Sequence, residues 1–179
     1  MPIQSLSASS MGDIVVDAGA VFVDGTAIGA TKGGISFNVE QNVRTIEVDG
    51  ARGPLKGGRR VTNEKAMLTV TFMEMNATNI QNALFGMTTG SQRDLAATPV
   101  YLSEVTLVAP VSGSTTDGII ITLYDVLADG NFEMSLEDEN EAGVEVQFTA
   151  HIDPAALNTS PYKIERTTLP TYATGGGTT

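Results

Sequence analysis

Apolar and polar residues alternate with period two over many short stretches of this chain, and glycine-containing turns divide the stretches. Over residues 34–40, Ile35, Phe37 and Val39 share one face, and Ser36, Asn38 and Glu40 the other. Arg44, Ile46 and Val48 alternate with Thr45 and Glu47. Over 66–75, Leu68, Val70 and Phe72 oppose Met67, Thr69, Thr71 and Met73, which predicts a strand covered on both faces. Residues 119–126, 131–137 and 144–153 read as three further strands, and 21–23 and 101–108 add two more. In 131–137 and 144–153 the apolar set (Phe132, Met134, Leu136; Val144, Val146, Phe148, Ala150, Ile152) is cleanly separated from the polar set. That is the pattern of an antiparallel sheet with one wet side. Asp24-Gly25, Gly33-Gly34, Asp49-Gly50, Gly57-Gly58, Asp117-Gly118 and Asp129-Gly130 are the expected turns.

One helix is predicted, over 78–85. Asn76 and Thr78 offer N-caps, Ile80, Ala83 and Leu84 fall at helical spacing, and Gly86 is placed as a stop. The expected architecture is mainly β: an antiparallel β-sandwich or partial barrel of about seven to nine strands with one short flanking α-helix. A long early loop and extended terminal arms complete it. The expected organisation is an N-terminal arm over 1–12, a β-domain over 13–153 and a C-terminal arm over 154–179 with a disordered end. Pro154, Pro161, Pro170 and the closing Gly175-Gly176-Gly177 mark that last segment.

Charge changes the picture more than composition does. The chain has 179 residues and a formal net charge of -11. Residues 1–93 hold eight acids and eight bases, whereas 94–162 hold twelve acids and no lysine or arginine. This balance excludes an ordinary nucleic-acid binder, which concentrates positive charge. With no cysteine, disulfides, zinc–thiolate sites and thiol nucleophiles are excluded. Charged residues make up only 17% of the chain, below the roughly 25% of an average soluble domain, so much of the surface is expected to face other protein. No apolar run approaches the ~18 residues of a membrane helix. Residues 1–6 lack a basic and an apolar leader region, so synthesis in a cytoplasm is expected.

Candidate chemistry is sparse. His151 is the only histidine and sits on the polar face of its strand, where an exposed or interface histidine is expected. Residues 125–137 have Asp125, Asp129, Gly130 and Asn131 at calcium-loop positions one, five, six and seven. Leu127 and Leu136 occupy positions three and twelve, where oxygens are needed, so a hairpin turn is expected there. No metal, cofactor or catalytic group is expected, and the chain is not read as an enzyme. Two charged stretches stand out. Arg52, Gly53, Pro54, Leu55, Lys56, Gly57, Arg59 and Arg60 form a glycine-rich basic loop without the ending of a phosphate-binding loop. Glu133, Glu137, Asp138, Glu139, Glu141 and Glu145 form an acidic region. A basic loop and an acidic sheet in one molecule suit head-to-tail association of identical copies.

The order of elements resembles a known family. Gly25-Thr26-Ala27-Ile28-Gly29 leads into Gly33-Gly34-Ile35-Ser36-Phe37. Then come Ile46-Glu47-Val48-Asp49-Gly50, the basic loop, the strand from Ala66 to Glu74, the helix Asn79-Ile80-Gln81-Asn82-Ala83-Leu84 and the late strand before a proline-containing arm. This looks like a tail tube (major tail) protein of long, non-contractile-tailed bacteriophages, over about residues 15–165. The resemblance implies hexameric rings that stack into a hollow tube with a continuous β-barrel around the lumen. It implies that the genome, and before it the tape measure protein, occupies that lumen, and that tail terminator and tip proteins are further partners. Residues 49–62 match the inter-ring loop in position, and 1–12 and 154–174 match the arms. The acidic residues above either line the lumen, where DNA passes without specific binding, or receive the basic loop of the next ring. Other virion β-modules (decoration or baseplate-like) and a monomeric ligand-binding β-barrel are the alternatives.

Overall fold

The computed structural model describes residues 19–47, 49–50, 52–53, 55–74, 76–84, 90, 92–93, 96, 98–111, 114, 116–130, 133–137 and 140–169; for 135–137 and 140–142 it describes the backbone alone. The expected N-terminal arm, the helix stop at Gly86 and the end of the C-terminal arm lie outside these residues.

The described chain is mainly β, with strands β1 Ala20–Val23, β2 Thr26–Ala27, β3 Thr31–Thr45, β4 Arg59–Phe72, β5 Leu102–Pro110, β6 Asp117–Ala128, β7 Glu133–Glu137, β8 Asn140–Ala150 and β9 Tyr162–Thr168. One helix, α1 (Ala77–Ala83), follows β4. All pairings are antiparallel. The path runs β2-β1-β5-β6-β8-β4-β3, with β9 on β6 and β7 on β8, so the sheet ends open at β2 and β3.

The sheet folds over on itself at one corner. Along one edge, β6 pairs with β9 through residues 117–123, then with β8 through Val126–Ala128. The change of partner occurs at Asp125, whose φ of +48° is left-handed. A non-glycine residue reaches that region at a cost, and aspartate is among those that tolerate it. His151 fastens the corner: its Nδ1 meets the Asp125 carbonyl at 3.1 Å and its backbone N–H donates to Tyr124 O. Tyr101 stacks edge-on against its ring at 5.1 Å. The polar-face histidine of the sequence is therefore a half-buried structural one.

Folding at the corner lets two apolar faces share one core. Val21, Val23, Val105, Leu107 and Leu123 come from one wing, and Leu68, Val70, Phe72, Val144, Val146 and Phe148 from the other. Phe72 and Phe148 pack at 6.1 Å between centroids. Ile35, Phe37 and Val39 close the core from β3. The helix is pinned beside it by a buried amide. Asn76 caps the backbone N–H of Asn79, while Asn79 Nδ2 donates to the carbonyls of Ile28 and Glu74. Glu74 in turn accepts from Ala30 N, its carboxylate filling the space a side chain on Gly29 would occupy. Gly29 also holds a φ of +87°, so only glycine serves there.

Several expected boundaries moved. Gly33-Gly34 is not a turn: both residues have positive φ and lie in a bulge between Lys32 and Ile35 of a continuous β3. Residues 44–48 are not a separate strand, because Arg44 and Thr45 finish β3 and Ile46 and Glu47 leave it. Asp117-Gly118 begins β6. The 125–137 stretch is no hairpin turn either; β6 and β7 pair in succession along β8, separated by residues 129–132. Residues 154–179 are not an arm throughout. Tyr162–Thr168 forms β9, whose periodicity is faint in the sequence because only Tyr162 and Glu165 are even half-buried.

Truncating Phe148 to alanine is expected to cost about 3–5 kcal/mol by urea unfolding, since it empties the centre of the shared core. Val61→Ala, on an exposed stretch of β4, is expected to stay within about 0.5 kcal/mol.

Candidate functional site

Two surfaces continue outward from this core. The first is the polar face of β7, β8, β4 and β3. Register places Glu133 opposite Glu145, Glu145 opposite Thr71 and Thr71 opposite Lys32, so these four share a face. The next rows on that face are Gln147, Thr69 and Ser36, then Asn38 beside Met67 and Glu40 beside Lys65. The opposite face carries Phe37, Val39, Leu68, Val70, Val144 and Val146 in or against the core. The alternation of the sequence thus becomes a dry side and a mostly wet side, on which Met67 and Thr149 are nevertheless buried.

The second surface is the far half of the β3–β4 hairpin. From Gln41 to Thr45 and from Arg59 to Asn63 both strands are exposed on both faces, so this half leaves the body of the protein. Thr62 is unpaired between Asn42↔Asn63 and Val43↔Val61 and forms a second bulge, with its hydroxyl donating to Asn42 O at 3.1 Å. Beyond the bulge, Val43 and Val61 face each other, exposed to 46% and 54%. Arg44 and Arg60 face each other on the other side. Ile46 and Leu55 add exposed apolar surface at the tip, closed by bonds from Ile46 N to Gly58 O and Gly58 N to Leu55 O.

Of the basic-loop residues singled out, Arg52, Gly53, Leu55, Lys56 and Gly57 lie in the connection, with Lys56-Gly57 in a turn, and Pro54 falls outside the described residues. Arg59 and Arg60 belong to β4, so the long loop begins after Thr45 and ends before Arg59. Of the acids, Glu133 and Glu145 are exposed and directly opposed. The backbones of Glu137 and Glu141 lie on β7 and β8, and Asp138 and Glu139 lie outside the described residues. The sequence reading missed Arg44 as a member of the basic group, and Val43 with Val61 as an apolar pair. The signal was available: the period of 35–39 skips Gln41 and resumes at Val43, with Arg44 on the other face.

Among the described residues, Glu133 and Glu145 lie apart from the hairpin tip. Because β3 and β4 run the length of the sheet, the hairpin tip stands at one end of the polar face and Glu133–Glu145 near the other. Like charges directly opposed across a ladder are destabilising. The face therefore carries one repulsive acidic pair and, at its far end, one repulsive basic pair.

At the hairpin root, the Tyr162 ring stacks edge-on against Phe37 at 5.7 Å. Burial pushes the Tyr162 hydroxyl above its ordinary value, and the Glu64 carboxylate adds to this by its charge and by accepting its hydrogen bond. Among the described residues no group of three or more His, Asp or Glu is placed to hold a metal ion, and no helix is long and apolar enough to cross a membrane.

No family model matches the chain, and no curated protein matches it. Solved structures similar to it include chains of gene transfer agent particles. A chain of a native gene transfer agent virion is 14% identical over 71% of this chain and 84% of that one, with a TM-score of 0.38. A chain of the tail of an empty particle, computed with C6 symmetry, is 15% identical over 71% and 81%, with a TM-score of 0.33.

Two outcomes are expected. Glu145→Gln removes the repulsion with Glu133 and raises the urea midpoint by the equivalent of ~0.2–1 kcal/mol, less as salt rises. For Tyr162, a folded value above the unfolded one means that the folded state holds the proton longer. Stability is then kept below about pH 10 and falls as pH rises beyond it. Tyr162→Phe should lose part of that alkaline decline.

Proposed function

We propose that this chain is a structural virion protein that builds a phage-type tail tube from identical copies. Side by side, copies join through the outer edges of β3 and β7, neither of which pairs among the described residues. Unpaired edges invite further strands, and a closed ring removes them. The four-stranded polar face then lines a channel, and the hairpin of each copy reaches the next ring. Rings of six, a genome and tape measure protein within the channel, and terminator and tip proteins at its ends follow from the sequence resemblance.

The observation that carries this reading is the pair of like-charge contacts at opposite ends of one face. Glu133–Glu145 and Arg44–Arg60 each cost stability in a lone copy. Head-to-tail stacking brings the basic end of one copy to the acidic end of the next and neutralises both, a heterologous contact that propagates along an axis. The exposed Val43, Val61, Ile46 and Leu55 gain cover in the same contact. The middle rows of the face, Gln147, Thr69, Ser36 and Asn38, are uncharged. Those middle rows offer phosphates no cationic anchor, Lys32 shares its row with two carboxylates, and carboxylates repel phosphates within about a Debye length, ~8 Å. Acidity then lets DNA pass instead of holding it.

Electron microscopy of the purified protein tests this. Wild-type protein is expected to form rings or tubes. Arg44→Glu with Arg60→Glu should abolish stacking with little loss of monomer stability. Adding Glu133→Lys and Glu145→Lys to the same chain should restore tubes. A protein that stays monomeric at high concentration, or charge reversal without effect on length, would overturn the reading.

A further inference from the structure

At the root of the projecting hairpin, donors from two distant parts of the chain converge on one carboxylate. Glu64 accepts from Gln41 Nε2 on the paired strand at 3.0 Å. It accepts from Ser160 Oγ at 2.8 Å, across 96 residues of sequence. The Tyr162 hydroxyl lies close enough for the Glu64 carboxylate to help raise its pKa. An ionised carboxylate suits this place, because it has about four acceptor sites and no proton to lose, and its hydrogen bonds are about twice as strong as neutral ones.

The position of this hub matters more than its strength. Below it, β3 and β4 are held by the core through Phe37, Val39, Ala66 and Leu68. Directly above it is the Thr62 bulge. A bulge bends its strand and increases local twist, so the course of the hairpin beyond depends on how firmly the bulge is seated. On one side of that stretch lies a groove of about 270 Å³ between residues 61–64 and 152–161. Leu157, exposed to 72%, and Ile152 stand across it from Val61.

We propose that Glu64 is a positioning residue: by tying the hairpin root to the Ser160–Tyr162 segment, it sets the direction in which the hairpin leaves the body and so aligns it for a second copy of the chain. The geometric half stands on the bonds just described; the assembly half rests on the tube reading above. The strand β9 and the turns before it then have a use beyond completing the sheet. They brace a hairpin that reaches outside the sheet's core.

Hydrogen exchange on the full chain, with electron microscopy of the same samples, tests both halves. Glu64→Gln is expected to speed exchange at residues 42–47 and 58–62 by about tenfold, the factor that corresponds to losing one hydrogen bond to a charged group. Amides of Leu68 and Val146 should be unchanged, and tube formation should fall. Ser160→Ala, which removes one donor, and Tyr162→Phe, which removes the hydroxyl beside the carboxylate, should give smaller changes of the same pattern. If Glu64→Gln speeds exchange throughout the chain, it has lost the fold, and the other two variants decide. Unchanged exchange in all the folded variants overturns the latch. Faster exchange with undiminished tubes overturns the alignment role and leaves the tube reading standing. Wild-type protein that never assembles overturns the tube reading and the alignment role, while the exchange data still judge the latch.

Discussion

The shared core depends on a single corner. Val126–Ala128 of β6 must leave β9's edge and pair with Phe148–Ala150 of β8, and the left-handed Asp125 makes that turn. Until it is made, each wing of the sheet has an apolar face open to water, and burying such a face is the largest favourable contribution to folding. Once it is made, Leu123 and Val105 meet Phe148 and Val146, and the two wings close on each other. His151 and Tyr101 serve this corner, so the only imidazole of the chain has a structural partner on its Nδ1.

Everything proposed about assembly follows from what that core leaves over. One face of β3, β4 and β8 is used up in the interior, which leaves most of the other face to solvent. The hairpin strands run longer than the core is wide, so Val43 and Val61 continue the dry face of β3 and β4 past the point where anything covers it. Exposed apolar pairs and opposed like charges in one projecting element are poor choices for a lone molecule. They are reasonable choices for a subunit whose neighbour brings complementary groups. The Glu64 hub lies where the covered and uncovered parts of the hairpin meet.

Much of this was legible in residue order. The period-two alternation at 35–39, 66–72 and 144–150 placed three long strands on the right faces, and Asn76 announced the helix. Glu133 and Glu145 could be named as acids, but not as a pair, because that depends on how β7 and β8 register across a turn. Gly33-Gly34 and Asp129-Gly130 were read as turns, since glycine marks bulges and turns alike. β9 was missed because a strand with little burial on either face carries no alternation. Asn79 was missed because a buried amide is recognisable only from the carbonyls it serves.

By itself, then, the sequence determined the class of fold, the uneven distribution of charge and the separation of dry from wet faces, because these are set by local periodicity and composition. The tertiary structure alone decided that the acidic and basic groups occupy opposite ends of one face. It also decided that Arg44 stands across from Arg60, and that residues 160–162 brace the hairpin root. These facts are contacts between segments far apart in the chain, set by strand register and by the corner at Asp125, and neither of those is encoded in any single stretch of residues.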